Sequence, residues 1–171
     1  MKDYLVPTMV LAIICLVITA CLAGTYNLTQ PIIQENNQKI AEESRTAVLS
    51  GADGFEAVEG EFPENTVDVF AATNGAGYTI TVTAKGYDSN PLKVMVGLKS
   101  DGIIERIKVL SNTETPGLGS KVSEPAFTSQ FEGMDSSMSG FEAIAGATRS
   151  STAMRRIIET AYEVYDIVKG A

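Results

Sequence analysis

Two short segments hold the residues whose types and spacing could do chemistry. Residues 113–120 read TETPGLGS. Gly117 and Gly119 lack side chains, so the backbone there can lie against a flat group or reach it with N–H donors. Pro116 stiffens the approach, Leu118 offers an apolar contact, and Glu114 and Thr115 lead into it. By composition alone the same residues read as a turn after a strand. Residues 142–151 read EAIAGATRSS. Gly146 and Ala147 leave the hydroxyl of Thr148 accessible, and a helix is predicted to start just beyond. Its first amides and positive dipole end, with Arg149, Arg155 and Arg156 near in sequence, suit a phosphate. Taken singly, the segment is also a Ser/Thr helix cap with a Gly-Ala lead-in.

The other residue types narrow the chemistry. The chain has no His and no Trp, and its two cysteines are Cys15 and Cys21. Residues 22–171 therefore contain neither imidazole nor thiol. That removes Cys- or His-ligated zinc, His-ligated haem, Cys-ligated iron–sulfur clusters and His-dependent Ser or Cys catalysis from this stretch, and no metal site is expected. A carboxylate, a hydroxyl or a borrowed cofactor must carry any reaction. With 13 basic against 21 acidic residues the net charge is −8, and a nucleic-acid partner is excluded for want of a positive face.

The elements that must position these segments are legible in the hydropathy. Residues 5–24, LVPTMVLAIICLVITACLAG, carry no charge and sixteen apolar side chains. As a helix they would rise about 30 Å, the thickness of a bilayer core. A cleaved signal would have a shorter apolar region, and residues 18–21 (ITAC) also resemble a lipoprotein box. A retained single span is the reading adopted. Lys2 and Lys39 are the nearest bases on either side, so charge sets the orientation poorly.

Lys2 and Asp3 cancel, so all the net charge lies beyond residue 25. Thr29 and Pro31 are predicted to open a second helix, with Ile32, Ile33, Ile40, Ala41, Val48 and Leu49 as its apolar stripe. Residues 51–65 read as an acidic loop. Residues 66–73, 78–87, 92–98 and 103–110 are β-rich runs separated by turn residues, including a two-residue Asp101-Gly102 hairpin turn. They predict an antiparallel meander with one buried face and one wet face. The cover is a helix from Ser151, in which Met154, Ile157, Ile158, Ala161, Tyr162, Tyr165 and Val168 share a face. Its basic start and acidic end oppose the helix dipole unless an anion is held at the start. The predicted class is α+β: a single N-terminal transmembrane helix, then an antiparallel β-meander packed with helices. The predicted divisions are 1–25 anchor, 26–65 juxtamembrane helix and loop, and 66–171 folded domain.

ETPGLG followed by a helix-opening GAT resembles the FMN-binding domain shared by two proteins. These are the G subunit of the Rnf electron-transport complex and the C subunit of the sodium-pumping NADH:quinone oxidoreductase. The resemblance runs over nearly the whole chain, and the short length favours the Rnf subunit. It implies that a flavin transferase joins FMN through its phosphate to the last Thr of a motif like Asp-x-x-(Ser/Thr)-Gly-Ala-Thr, here Thr148. Glu142 stands where Asp is usual and Ala145 where Ser or Thr is usual. A His often precedes ETPGLG in relatives and is absent here, so no role for it carries over. The cofactor-binding set so implied is Glu114, Thr115, Gly117, Leu118, Gly119, Gly146, Ala147, Thr148, Arg149 and Ser150, with covalent FMN as cofactor.

Isoalloxazine supplies the redox chemistry, which agrees with the lack of His and Cys. The resemblance further implies an electron-relay subunit of a complex that moves electrons between ferredoxin and NAD and couples this to Na⁺ or H⁺ transport. Such a subunit has no independent catalytic activity. Its partners would be the other membrane and peripheral subunits of the Rnf complex and, during maturation, the flavin transferase. Its place would be the cell membrane, single-pass, with the domain on the extracytoplasmic side. Another extracytoplasmic FMN electron-transfer protein, or a non-redox lipoprotein or binding module, stays open as an alternative.

Overall fold

The structure is a computed structural model that describes residues 2–170, with side chains from residue 7 onward. It divides into two compact units at the junction of Glu42 and Glu43. The described residues of the first unit are helical throughout. Helix α1 spans Lys2–Val48 and would measure about 70 Å. It contains an 18-residue window of mean hydropathy 2.4, none of it buried in the protein. Exposed Met9, Leu11, Leu16 and Leu22 are costly in water and at home in lipid, so this stretch is a membrane anchor. Thr19 and Thr25 return their hydroxyls to the carbonyls of Cys15 and Cys21 at 2.8 and 2.9 Å, which hides both groups from the lipid.

Thr29 and Pro31 do not open a second helix. Pro31 lies inside α1, and Thr29 Oγ1 donates backward to the Thr25 carbonyl at 3.0 Å instead of capping. One missing N–H costs about 3 kcal/mol, whereas a break would require a new helix nucleus. Within the expected stripe, Ile32, Ile33 and Ile40 are exposed, while Val48 and Leu49 are fully buried.

The second unit is built on a five-stranded antiparallel sheet in sequential order: β1 (Phe55–Ala57), β2 (Thr66–Ala72), β3 (Gly77–Ala84), β4 (Leu92–Lys99) and β5 (Ile104–Ser111). Strand β1 falls in the stretch read as a loop. It pairs Phe55 with Ala72, and three residues are too few to show alternation. The turn at Asp101-Gly102 uses three residues. Gly102 donates to the Lys99 carbonyl, Lys99 to the Ile103 carbonyl, and Gly102 takes the left-handed φ of 86° that follows a type I turn in such loops.

Beyond β5 lies a single helical turn, α2 (Pro125–Thr128), whose Phe127 joins the core. Helix α3 (Thr148–Gly170) covers one face of the sheet, as expected. Ile80, Val82, Val94, Val96 and Leu98 form one core with Met154, Ile157, Ile158 and Ala161. Tyr165 packs edge-on against Tyr78 and donates its hydroxyl to the Ser100 carbonyl at 2.8 Å. Such interdigitated apolar contacts supply most of a domain's stability.

The opposite face is not wet. Thr79, Thr81 and Met95 are fully buried there, and the last turn of α1 lies on the sheet. A Cβ on Gly97 would come within 2.1 Å of the Val48 carbonyl oxygen, so only glycine admits the helix. The Arg45 guanidinium sits 3.6 Å from the centre of the Phe70 ring. Arg106 donates to the Ala47 carbonyl at 3.0 Å. Glu105 accepts from the Ser50 amide and hydroxyl; burial opposes its ionisation, but these bonds together with the charges of Lys99 and Arg106 outweigh it and hold the carboxyl below its usual range. A one-sided pattern could not reveal this second cover, because threonine and glycine read as polar or neutral.

Candidate functional site

The site is assembled from three loop segments at one end of the sheet. The first leaves β3. The expected strand through residue 87 stops at Ala84, and residues 85–88 turn away. The second leaves β5. Asn112 Oδ1 accepts from the Glu114 amide at 2.9 Å and starts a turn. Leu118 and Ser120 then donate to the Thr115 carbonyl, each at 3.2 Å, before a short 3-10 helix at Gly119–Ser123. The third is the lead-in to α3, where Ala147 donates to the Ile144 carbonyl at 3.0 Å.

Glu114 fastens the three together. Its side chain is 4% exposed. One carboxylate oxygen accepts from the amides of Tyr87 and Asp88 at 2.9 and 3.3 Å. The other accepts from the Ser150 hydroxyl at 2.6 Å. Three donors on one buried carboxylate satisfy the charge that burial would otherwise penalise. Two glycines make room for it. A Cβ on Gly86 would lie 2.2 Å from Glu114 Oε1, and one on Gly119 would lie 2.7 Å from Glu114 Cβ and 2.6 Å from Ser150 Oγ.

Helix α3 starts at Thr148, three residues before the predicted start. Its first helical bond runs from the Ser151 amide to the Ala147 carbonyl at 2.9 Å. The amides of Thr148, Arg149 and Ser150 thus have no carbonyl within the helix to use. The serines do not cap it. Ser151 Oγ accepts from the Ile144 amide at 3.0 Å and ties down the lead-in, while Ser150 is committed to Glu114. Thr148 and Arg149 remain exposed. Gly146, at φ 82°, makes the left-handed step that brings the chain into the helix.

A cavity of about 480 Å³ opens between the segments. Glu114, Thr115, Leu118 and Gly119 line it from the second segment, Gly146, Ala147, Thr148, Arg149 and Ser150 from the third, and Tyr87 from the first. Nine of the ten residues picked out in the sequence meet here. Gly117 does not line the cavity; its φ of 78° and the open space beside it give it a backbone role, not one of close approach. Arg155 is engaged with Glu159 at 2.9 Å, and neither Arg155 nor Arg156 reaches the cavity. Tyr87 is the residue that sequence reasoning missed. Its one signal was Gly86, an interruption at the end of an otherwise β-rich run.

The wall is apolar or neutral apart from the hydrogen-bonded Glu114 and the cationic Arg149. Free amides and an arginine at one end, with apolar walls beside them, suit a flat aromatic group that ends in a phosphate. FMN fits that description. The fold and the site define a membrane-anchored domain built to hold a phosphorylated cofactor.

Comparisons with known proteins agree with this class. Residues 86–163 match the FMN-binding domain family, and residues 6–48 match the RnfG N-terminal region. The chain is 30% identical over 186 residues to the G subunit of the Na⁺-translocating ferredoxin:NAD⁺ oxidoreductase complex of Acetobacterium woodii, covering 92% of this chain and 89% of that one. It is 27% identical over 166 residues to the G subunit of the proton-translocating ferredoxin:NAD⁺ oxidoreductase complex of Clostridium ljungdahlii, covering 90% and 86%. The crystal structure of Shewanella oneidensis NqrC shares the fold at a TM-score of 0.52 and 19% identity, over 75% of this chain and 74% of that one. The chain belongs to the family of G subunits of the Rnf-type ion-translocating oxidoreductase complexes.

Proposed function

We propose that this chain is the membrane-anchored electron-relay subunit of an Rnf-type ferredoxin:NAD oxidoreductase complex, and that it carries FMN joined through its phosphate to Thr148. The observation that supports this most directly is the position of Thr148. It is an exposed hydroxyl on the first residue of α3, lining a cavity whose other wall is the ETPGLG segment. FMN supplies one- and two-electron chemistry that no side chain of this domain offers. The protein's part is to hold it. The first amides of α3 and Arg149 would hold a phosphate on Thr148, while Leu118 and Ala147 would offer the ring an apolar wall.

The remaining subunits of the complex supply ferredoxin and NAD binding and ion transport, and this subunit has no independent catalytic activity. A flavin transferase would make the bond: the Thr148 hydroxyl gives up its proton and attacks the FMN phosphorus of a flavin dinucleotide donor, and the other nucleotide leaves with its phosphate. Glu142 and Ala145, the two departures from the usual motif, are both exposed on the chain leading to the acceptor, open to a transferase. Co-expression with a flavin transferase should give a yellow protein with in-gel flavin fluorescence after denaturation. A colourless product under conditions that flavinylate a known relative from this family would overturn the assignment.

A covalent tether is most useful where lost FMN is not replaced, and the domain is therefore assigned to the extracytoplasmic side of the cell membrane. A reporter that fluoresces only in the cytoplasm, fused after Ala171, should stay dark. Bright cells would reverse the orientation.

A further inference from the structure

We propose that Tyr87 is the aromatic wall of the cofactor site, and that its phenol face receives the flavin ring once FMN is attached; the proposal rests on the function assigned above. Tyr87 is 68% exposed, and burial gives no reason for an aromatic residue there. Its backbone, by contrast, is held closely. Both carboxylate oxygens of Glu114 accept from its amide, at 2.9 and 3.2 Å, and the preceding Gly86 has no room for a Cβ. A side chain left in solvent on a backbone clamped to the cavity wall is placed for a ligand. Among the described residues lining the cavity it is the one aromatic.

The ring also has a temporary occupant. The Arg149 guanidinium lies 5.6 Å from the Tyr87 ring centroid, and Arg149 follows the acceptor Thr148 directly in the chain. An exposed cation–π contact is weaker than a charge-assisted bond to phosphate. Phosphate on Thr148 draws Arg149 to itself and frees the phenol face for the flavin. One event, attachment at Thr148, thus loads both ends of the cofactor. Offset or edge-on aromatic packing then limits the ring's motion.

A stacked phenol has an optical consequence. Tyr87, stacked on a bound flavin, would donate an electron to the photoexcited ring and take it back without emission, so fluorescence would fall with nothing oxidised in net. The test compares flavin emission of the native, loaded chain with that of the same sample denatured, and loading is read separately by in-gel fluorescence. Wild-type protein should be strongly quenched when native. Tyr87→Ala should raise native emission several-fold per flavin loaded. Tyr87→Phe fills the same volume but is too hard to oxidise, so its native emission should also rise, which keeps the result readable if the alanine variant loads poorly. Wild-type emission from Tyr87→Phe, or from a loaded Tyr87→Ala, would overturn the proposal alone. A wild-type chain that takes up no flavin would overturn the functional reading, and this proposal with it.

Discussion

Thr148→Ala should abolish covalent flavin, leaving no in-gel fluorescence after denaturation, while Ser150→Ala and Ser151→Ala remain fluorescent. All three hydroxyls lie within four residues, so a transferase reading composition alone would have a choice. The fold removes it. Ser150 is 2% exposed and donates to Glu114, and Ser151 is fully buried and accepts from Ile144, whereas Thr148 is exposed. Thr152 is exposed as well but lies a turn into α3, away from the cavity lining. Peptide mass spectrometry should place FMN, less one water, on Thr148. The serine variants should be marked by stability, each losing about 1 kcal/mol, because Glu114 loses one of its three donors in the first and the half-buried Ile144 amide loses its acceptor in the second. Fluorescent Thr148→Ala protein would move the acceptor to another hydroxyl.

Glu114→Ala should carry the second-largest effect, a loss of about 2–4 kcal/mol, because it strands two amides and one hydroxyl that share a buried charge. For a domain of this size that lowers the melting temperature by roughly 10 °C. The damage should extend beyond stability. The three segments of the site have the Glu114 carboxylate as their common partner, so flavin loading should fall together with the melting temperature. Glu114→Gln keeps the volume and an accepting oxygen, and should fall between the alanine variant and the wild type. Unfolding in detergent, followed by circular dichroism, measures the first quantity, and in-gel fluorescence per mole of protein the second. An alanine variant with wild-type stability would mean that the carboxylate is not the fastener.

Elements whose cause is local could be read from the residues alone. Twenty uncharged residues at 5–24 have one low-energy place as a helix, and α1 carries residues 7–24 unburied. Alternation placed β2, β4 and β5 within a residue or so of their observed limits. The 3–4 spacing of Met154, Ile157, Ile158 and Ala161 chose the buried face of α3. The two chemically promising segments were also legible, because glycine, threonine and arginine carry their properties wherever they stand.

Tertiary structure decided what depends on partners distant in the chain. Pro31 continues a helix because turns on both sides hold it. Thr79 and Thr81 are buried because the end of α1 closes a face that alternation left to solvent. The β3 run ends early, and Tyr87 leaves the sheet, because a carboxylate 27 residues away accepts its amide. The same carboxylate takes the Ser150 hydroxyl from 36 residues away. A hydroxyl's chemistry is written in its type, but its availability depends on which buried charge or amide claims it first. On that ground Ser150 and Ser151 became structure, and Thr148 stayed exposed at the cavity.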